Sequence, residues 1–196
     1  LSTILLRQGD LYAAGGEIAA AERAFHSSAS IARALSDAPT LALIDAYRAK
    51  MLLAAQRFRE AADLASKAAN AADPDTVALA ATTAGAAYRR LGDARRARRA
   101  FEQAIAAVEQ QRRSLAGGFD ARLRFFEREL SPYTALVDLL AANGNAVDAL
   151  SYARRAKARV IGDTRRIRAR RPRGGKAFIE YSICGEAVYA FVVTSD

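Results

Sequence analysis

The sequence predicts a mainly α protein, an α-solenoid in which antiparallel helix pairs stack into a superhelix, with a β-hairpin at its C-terminus. Three observations predict it. Alanine fills 48 of the 196 positions, and alanine is both the best helix former and small enough to let helices approach closely. A fixed spacing of glycine, aromatic and alanine residues recurs along the chain, which is the mark of a repeat architecture. The last twenty residues, AFIEYSICGEAVYAFVVTSD, leave that composition and alternate aromatic and branched side chains about Cys184-Gly185-Glu186. That alternation reads as strand, turn, strand.

The clearest helix pair is TTAGAAYRRLGDARRARRAFEQAIAAVE, with Gly85, Tyr88, Gly92, Ala97, Phe101 and Ala104 in register. Gly85 permits two helices to touch, Gly92 ends the first helix in a left-handed cap, and Ala97 and Ala104 pack back against it. Tyr88 and Phe101 are expected to fill the space between neighbouring pairs. The opening stretch repeats the offsets with Gly9, Tyr12, Gly16, Ala21 and Phe25, and Ser28 stands in place of the second alanine. A third copy carries Gln56 where the turn glycine is expected, followed by Ala61, Ala65 and Ala68 and closed by Pro74. A fourth places Gly144, Ala149, Ala153 and Ala156. The turn positions are 40, 36 and 52 residues apart.

This spacing resembles the tetratricopeptide helix-turn-helix, whose standard unit is about 34 residues, so longer helices or connections are expected here. Four units are predicted, near 1–36, 38–74, 75–116 and 119–163. Before the fourth, QQRRSLAGGFDARLRFFERELSPY holds a helix break at Gly117-Gly118 and a fresh start at Ser131-Pro132.

The run FFERELSPYTALVDLLAANGNAVDALSYARRAKARVIGD resembles the last repeat before a CHAT domain, the caspase-like domain that follows many tetratricopeptide arrays. Ala156-Lys157-Ala158-Arg159 stands where those proteins carry a basic Lys-Ala-Arg stretch. The tail resembles the first two strands of that domain, through Glu180-Tyr181 and Tyr189-Ala190-Phe191-Val192-Val193. The resemblance implies repeats over 1–163, a basic linker over 164–176, and the start of a truncated CHAT domain over 177–196. It also implies that the catalytic cysteine and histidine of such a peptidase follow Asp196. The chain is expected to be a piece of a longer protein, and strand residues Ile179, Tyr181, Val188 and Val192 to need cover.

Of the net charge of +9, the stretch from Arg154 to Lys176 carries +10, and the other 173 residues sum to −1. Arg165, Arg166, Arg168, Arg170, Arg171 and Arg173 form its centre. Charge alone allows salt-dependent polyanion binding. No aromatic residue is interleaved for base stacking, which argues against nucleic acid and for an exposed linker or a dock for an acidic neighbour.

No chemistry is expected from this chain itself. His26 and Cys184 are the lone residues of their kinds; His26 reads as a surface residue of the first pair and Cys184 as part of the hairpin turn. One cysteine excludes an internal disulfide and a cysteine-built zinc site. Gly174-Gly175 lacks the spacing of a phosphate loop, and no cofactor or metal is implied. No stretch has the roughly 18 apolar residues of a membrane span, so a cytoplasmic location is expected. The predicted role is a scaffold that binds a protein or peptide partner and, as the resemblance implies, positions or regulates an attached CHAT domain. The alternatives are polyanion or nucleic-acid binding through 154–176, or purely structural support of the peptidase. Its groove would be lined from the first helices by Arg7, Asp10, Lys50, Thr82, Arg89, Arg90 and Asp138.

Overall fold

A computed structural model describes residues 1–114, 131–160, 177–185 and 187–194. These form eight helices and one two-stranded antiparallel sheet. Contacts divide the chain into two compact units, Leu1–Ser114 and Leu115–Asp196.

In the first unit α1 (Ser2–Ala14) pairs with α2 (Ile18–Ala34), α3 (Ala38–Ala54) with α4 (Phe58–Ala68), and α5 (Pro74–Arg90) with α6 (Ala94–Ser114). Successive pairs also meet: α3 touches α1, α2 and α5, and α4 touches α5. The turns explain the repeat. At Gly16, Gln56 and Gly92 the backbone is left-handed, with φ of 79°, 59° and 77°. In each case that residue's N–H and the next one bond back to two carbonyls of the helix just ended, as in Gly92 to Arg89 and Asp93 to Tyr88. This is the Schellman closure, which satisfies carbonyls the helix end would leave bare. Gln56 therefore does hold the glycine position of its copy, although its side chain makes that conformation strained. Ser36, between the first two pairs, adopts the same turn with φ 53°. The helices that begin each later pair are capped by acids: Asp37 accepts from the Thr40 N–H and Asp73 from the Thr76 N–H, with Pro39 and Pro74 in their first turns.

The core of this unit is made of small residues and a few large ones. Ala46, Ala68, Ala69, Ala80, Ala81 and Ala104 form one buried cluster, and Ala49, Ala65, Ala84 and Ala100 another. Phe25 and Phe101 are fully buried. Phe101 lies on Gly85 of its own pair, where the glycine leaves a hollow that the ring enters. Tyr88 does reach the preceding pair, where its hydroxyl meets that of Ser66 at 2.9 Å. Ser28, also fully buried, donates to the Ser2 carbonyl at 2.8 Å, which accounts for a serine at an alanine position.

In the second unit α7 (Ser131–Ala142) pairs with α8 (Ala146–Val160), turning at Gly144 with φ 75°. Ser131 is already the first helical residue and Pro132 the second, so proline sits one place deeper than expected. The break expected at Gly117-Gly118 lies outside the described residues. Strand β1 (Phe178–Cys184) runs against β2 (Ala187–Val193), in the register Tyr181 to Ala190 and Cys184 to Ala187. Cys184 is thus the last paired residue of β1 rather than a turn residue, and Gly185 turns the chain with φ 62°. The fourth helix pair, expected to belong with the repeats, shares its unit with the hairpin, since α7 packs on β1.

Candidate functional site

Three of the seven predicted groove residues come together on α1 and α3. Arg7 Nη1 donates to the Tyr47 hydroxyl at 2.7 Å, and Lys50 Nζ donates to Asp10 Oδ1 at 2.9 Å. Both cations also lie against the Tyr47 ring, with the Arg7 guanidinium carbon 5.7 Å and Lys50 Nζ 5.6 Å from its centroid. Each helix contributes two of these residues one turn apart, and the α1–α3 contact brings them together. Tyr47 was not among the predicted residues. It falls 40 residues after Arg7, the distance between the first two turn positions, and that register is the signal that finds it.

An exposed pair such as Lys50–Asp10 adds little to stability. What the arrangement offers is recognition: two cations held by a ring face, with remaining N–H groups for a carboxylate or a peptide carbonyl.

The other predicted groove residues do not join this cluster. Thr82 donates to the Ala78 carbonyl of its own helix at 2.7 Å. Arg89 and Arg90 are exposed at the end of α5, where the Arg90 guanidinium lies 4.9 Å from the Phe58 ring of α4. Asp138 belongs to the second unit and accepts a hydrogen bond from the Tyr189 hydroxyl of β2. Arg165, Arg166, Arg168, Arg170, Arg171 and Arg173 lie outside the described residues. Nearer the start of the basic stretch, Arg154 bonds Glu180 of β1 and Arg155 stacks on Tyr152, 4.8 Å from its centroid.

The hairpin has two unlike faces. Glu180, Ser182, Cys184, Tyr189 and Phe191 are buried or half-buried. Ile179, Tyr181, Ile183, Val188 and Val192, which the register puts on the opposite face, are each more than half exposed. The cover that the strand pattern calls for is therefore not supplied by the described residues.

His26 is exposed on α2. Cys184 is 5% exposed, and burial pushes its thiol above the ordinary range; the nearby Asp138 charge adds to this, while the Ser182 hydroxyl at 3.6 Å opposes it. A raised thiol is the reverse of what a nucleophile at neutral pH needs. Among the described residues no cluster of His, Cys, Asp and Glu could hold a metal ion, and no helix is long and apolar enough to cross a membrane.

Two recesses mark the first unit. One, of about 430 Å³, has Met51 and Leu52 of α3 in its lining, and its rim balances Glu22, Glu60 and Asp63 against Arg48, Arg57 and Lys67. The second, of about 180 Å³, joins α4, α5 and α6. Compared with protein-family models, curated proteins and solved structures, the chain matches none.

Proposed function

We propose that this chain is a tetratricopeptide-type scaffold, an α-solenoid whose first helices bind a protein or peptide partner. The observation that carries the reading is the group Arg7, Asp10, Tyr47 and Lys50, which joins the first helices of two successive pairs. A repeat array displays equivalent positions of its first helices side by side, and such faces serve extended partners. An aromatic ring contacted by two cations suits a peptide with an acidic side chain beside a main-chain carbonyl.

The hairpin is read as the first two strands of a CHAT domain. Its exposed aliphatic face supports this, since an isolated hairpin is marginal in water and such a face is suited to further layers. In that reading the scaffold positions the caspase-like peptidase, and partner binding alters access to it. If partner binding leaves the peptidase rate of the intact protein unchanged, this regulatory part fails.

The binding reading is tested by selecting peptides against the protein from a random display library, then measuring affinity for the variant Arg7→Ala/Lys50→Ala. Removing both cations is expected to weaken selected peptides at least tenfold. Unchanged affinity contradicts the assignment. A rival reading, polyanion binding through 154–176, rests on the +10 charge of that stretch. It predicts binding that falls steeply with salt and is lost when 164–176 is replaced by a Gly-Ser segment.

A further inference from the structure

The smaller recess of the first unit lies apart from the Arg7–Tyr47–Lys50 group and has a different chemistry. It opens between α4 and α6 over α5, and its volume of about 180 Å³ suits a small group and no more. Alanines 69, 84 and 100 supply its apolar part, and every charged side chain that lines it is positive. These are Arg96 and Arg99, one turn apart on α6, with Gln103 a further turn on.

The polar groups around it are arranged as donors. Arg96 is held by Asp93 at 2.6 Å and lies over the Tyr88 ring, 5.1 Å from the centroid. Arg99 is exposed and makes no hydrogen bond or ion pair with any described residue. The Ser66 and Tyr88 hydroxyls bond to each other at 2.9 Å; one proton is used in that bond and the other remains to donate. Gln103 spends one amide proton on the Ala69 carbonyl at 2.9 Å and keeps the second.

The recess one pair earlier provides the contrast. There three acids face three bases, so the charge is balanced within its own rim. Here Asp93 offsets Arg96, and nothing among the lining residues offsets Arg99. An unpaired guanidinium beside free hydroxyl and amide protons is the donor set that oxyanions recognise.

We infer that the recess between α4 and α6 binds a phosphate group, with Arg99 as its main charge partner and the Ser66–Tyr88 hydroxyls and Gln103 as neutral donors. The group would be carried on a phosphorylated side chain of a partner or supplied as the free ion. This does not depend on the scaffold reading, because it uses other helices and other residues.

The test is titration of the whole isotope-labelled chain at fixed ionic strength, following the Arg99 Nε–H and Gln103 amide signals. Three probes are compared: inorganic phosphate, a phosphoserine peptide and its unphosphorylated form. Saturable shifts with phosphate-bearing probes alone are expected, with affinity falling at least fivefold in Arg99→Ala and partly kept in Arg99→Lys. Arg48→Ala, in the balanced recess, is expected to leave them unchanged. Tighter binding of the phosphopeptide than of the free ion identifies a side chain as the source, and equal binding identifies the ion. Absence of a saturable shift with either phosphate probe, or binding that survives Arg99→Ala, overturns the inference.

Discussion

The ring of Phe101 presses on the backbone of Gly85 so closely that a Cβ built on that glycine would stand 2.6 Å from two ring carbons. Phe25 meets Gly9 in the same way, with contacts of 2.6 and 2.7 Å. The two pairs lie 76 residues apart and occupy identical register positions. In the middle pair those positions hold Ala49 and Ala65, which share one buried cluster. Nothing against a large ring, or small against small, fills a similar space where the two helices cross.

Gly85→Ala is expected to cost about 1–3 kcal/mol through overpacking, although alanine favours a helix by about 1 kcal/mol over glycine. Phe101→Leu in the same chain relieves part of that loss, so a double-mutant cycle by urea denaturation gives a favourable coupling of about 1 kcal/mol. A neutral Gly85→Ala contradicts the tight contact.

Gln56 and Gly92 close equivalent turns at nearly the same positive φ. Gln56→Gly is therefore expected to raise stability by about 1 kcal/mol and Gly92→Ala to lower it by a similar amount. Thermal unfolding followed by circular dichroism checks both signs. A loss of stability on Gln56→Gly counts against this turn geometry.

The turns were legible in the sequence because a left-handed cap needs glycine or a residue in glycine's register, and register survives even where Gln replaces glycine. The rest of the packing was not legible to the same depth. Spacing says that Phe101 is buried but not whether it faces its own partner helix or the next pair. Asp138 has the register of a groove residue, yet Tyr189, 51 residues later in the chain, takes its carboxylate. Tyr47 is an unremarkable helical tyrosine until α1 and α3 are placed side by side. These are tertiary facts, and local pattern carries them weakly.

Asp37 accepts bonds from both the hydroxyl and the backbone N–H of Thr40, which hold its carboxyl below the usual range. A carboxyl depressed in the folded state contributes stability above its unfolded pKa, about 3.9, and that contribution disappears as pH falls through the lower folded value. Melting temperatures measured from pH 6 down to pH 2 are expected to drop less steeply in Asp37→Asn, which retains a capping oxygen. Parallel curves for the two proteins contradict this role of Asp37.

The hairpin is tied to its helix pair by Arg154–Glu180, with side chains 19% and 26% exposed, and by Tyr189–Asp138. Arg154→Ala leaves the Glu180 charge without this partner and is expected to loosen the strands by about 1–3 kcal/mol. Hydrogen exchange over residues 178–193 measures that loss. The charge reversal Arg154→Glu/Glu180→Arg restores protection, and equal exchange in all variants removes the tie from the account.

Raised by burial, the Cys184 thiol is expected to react with a disulfide reagent at pH 7.5 at least tenfold more slowly in the folded chain than in urea. Equal rates in the two states contradict its placement at the closed end of β1.

The scaffold reading stands or falls on where a partner sits. Chemical-shift mapping of a selected peptide on the isotope-labelled chain locates that surface directly. Shifts centred on Arg7, Asp10, Tyr47 and Lys50 are expected; shifts confined to 161–176 or to the exposed strands would contradict the scaffold reading.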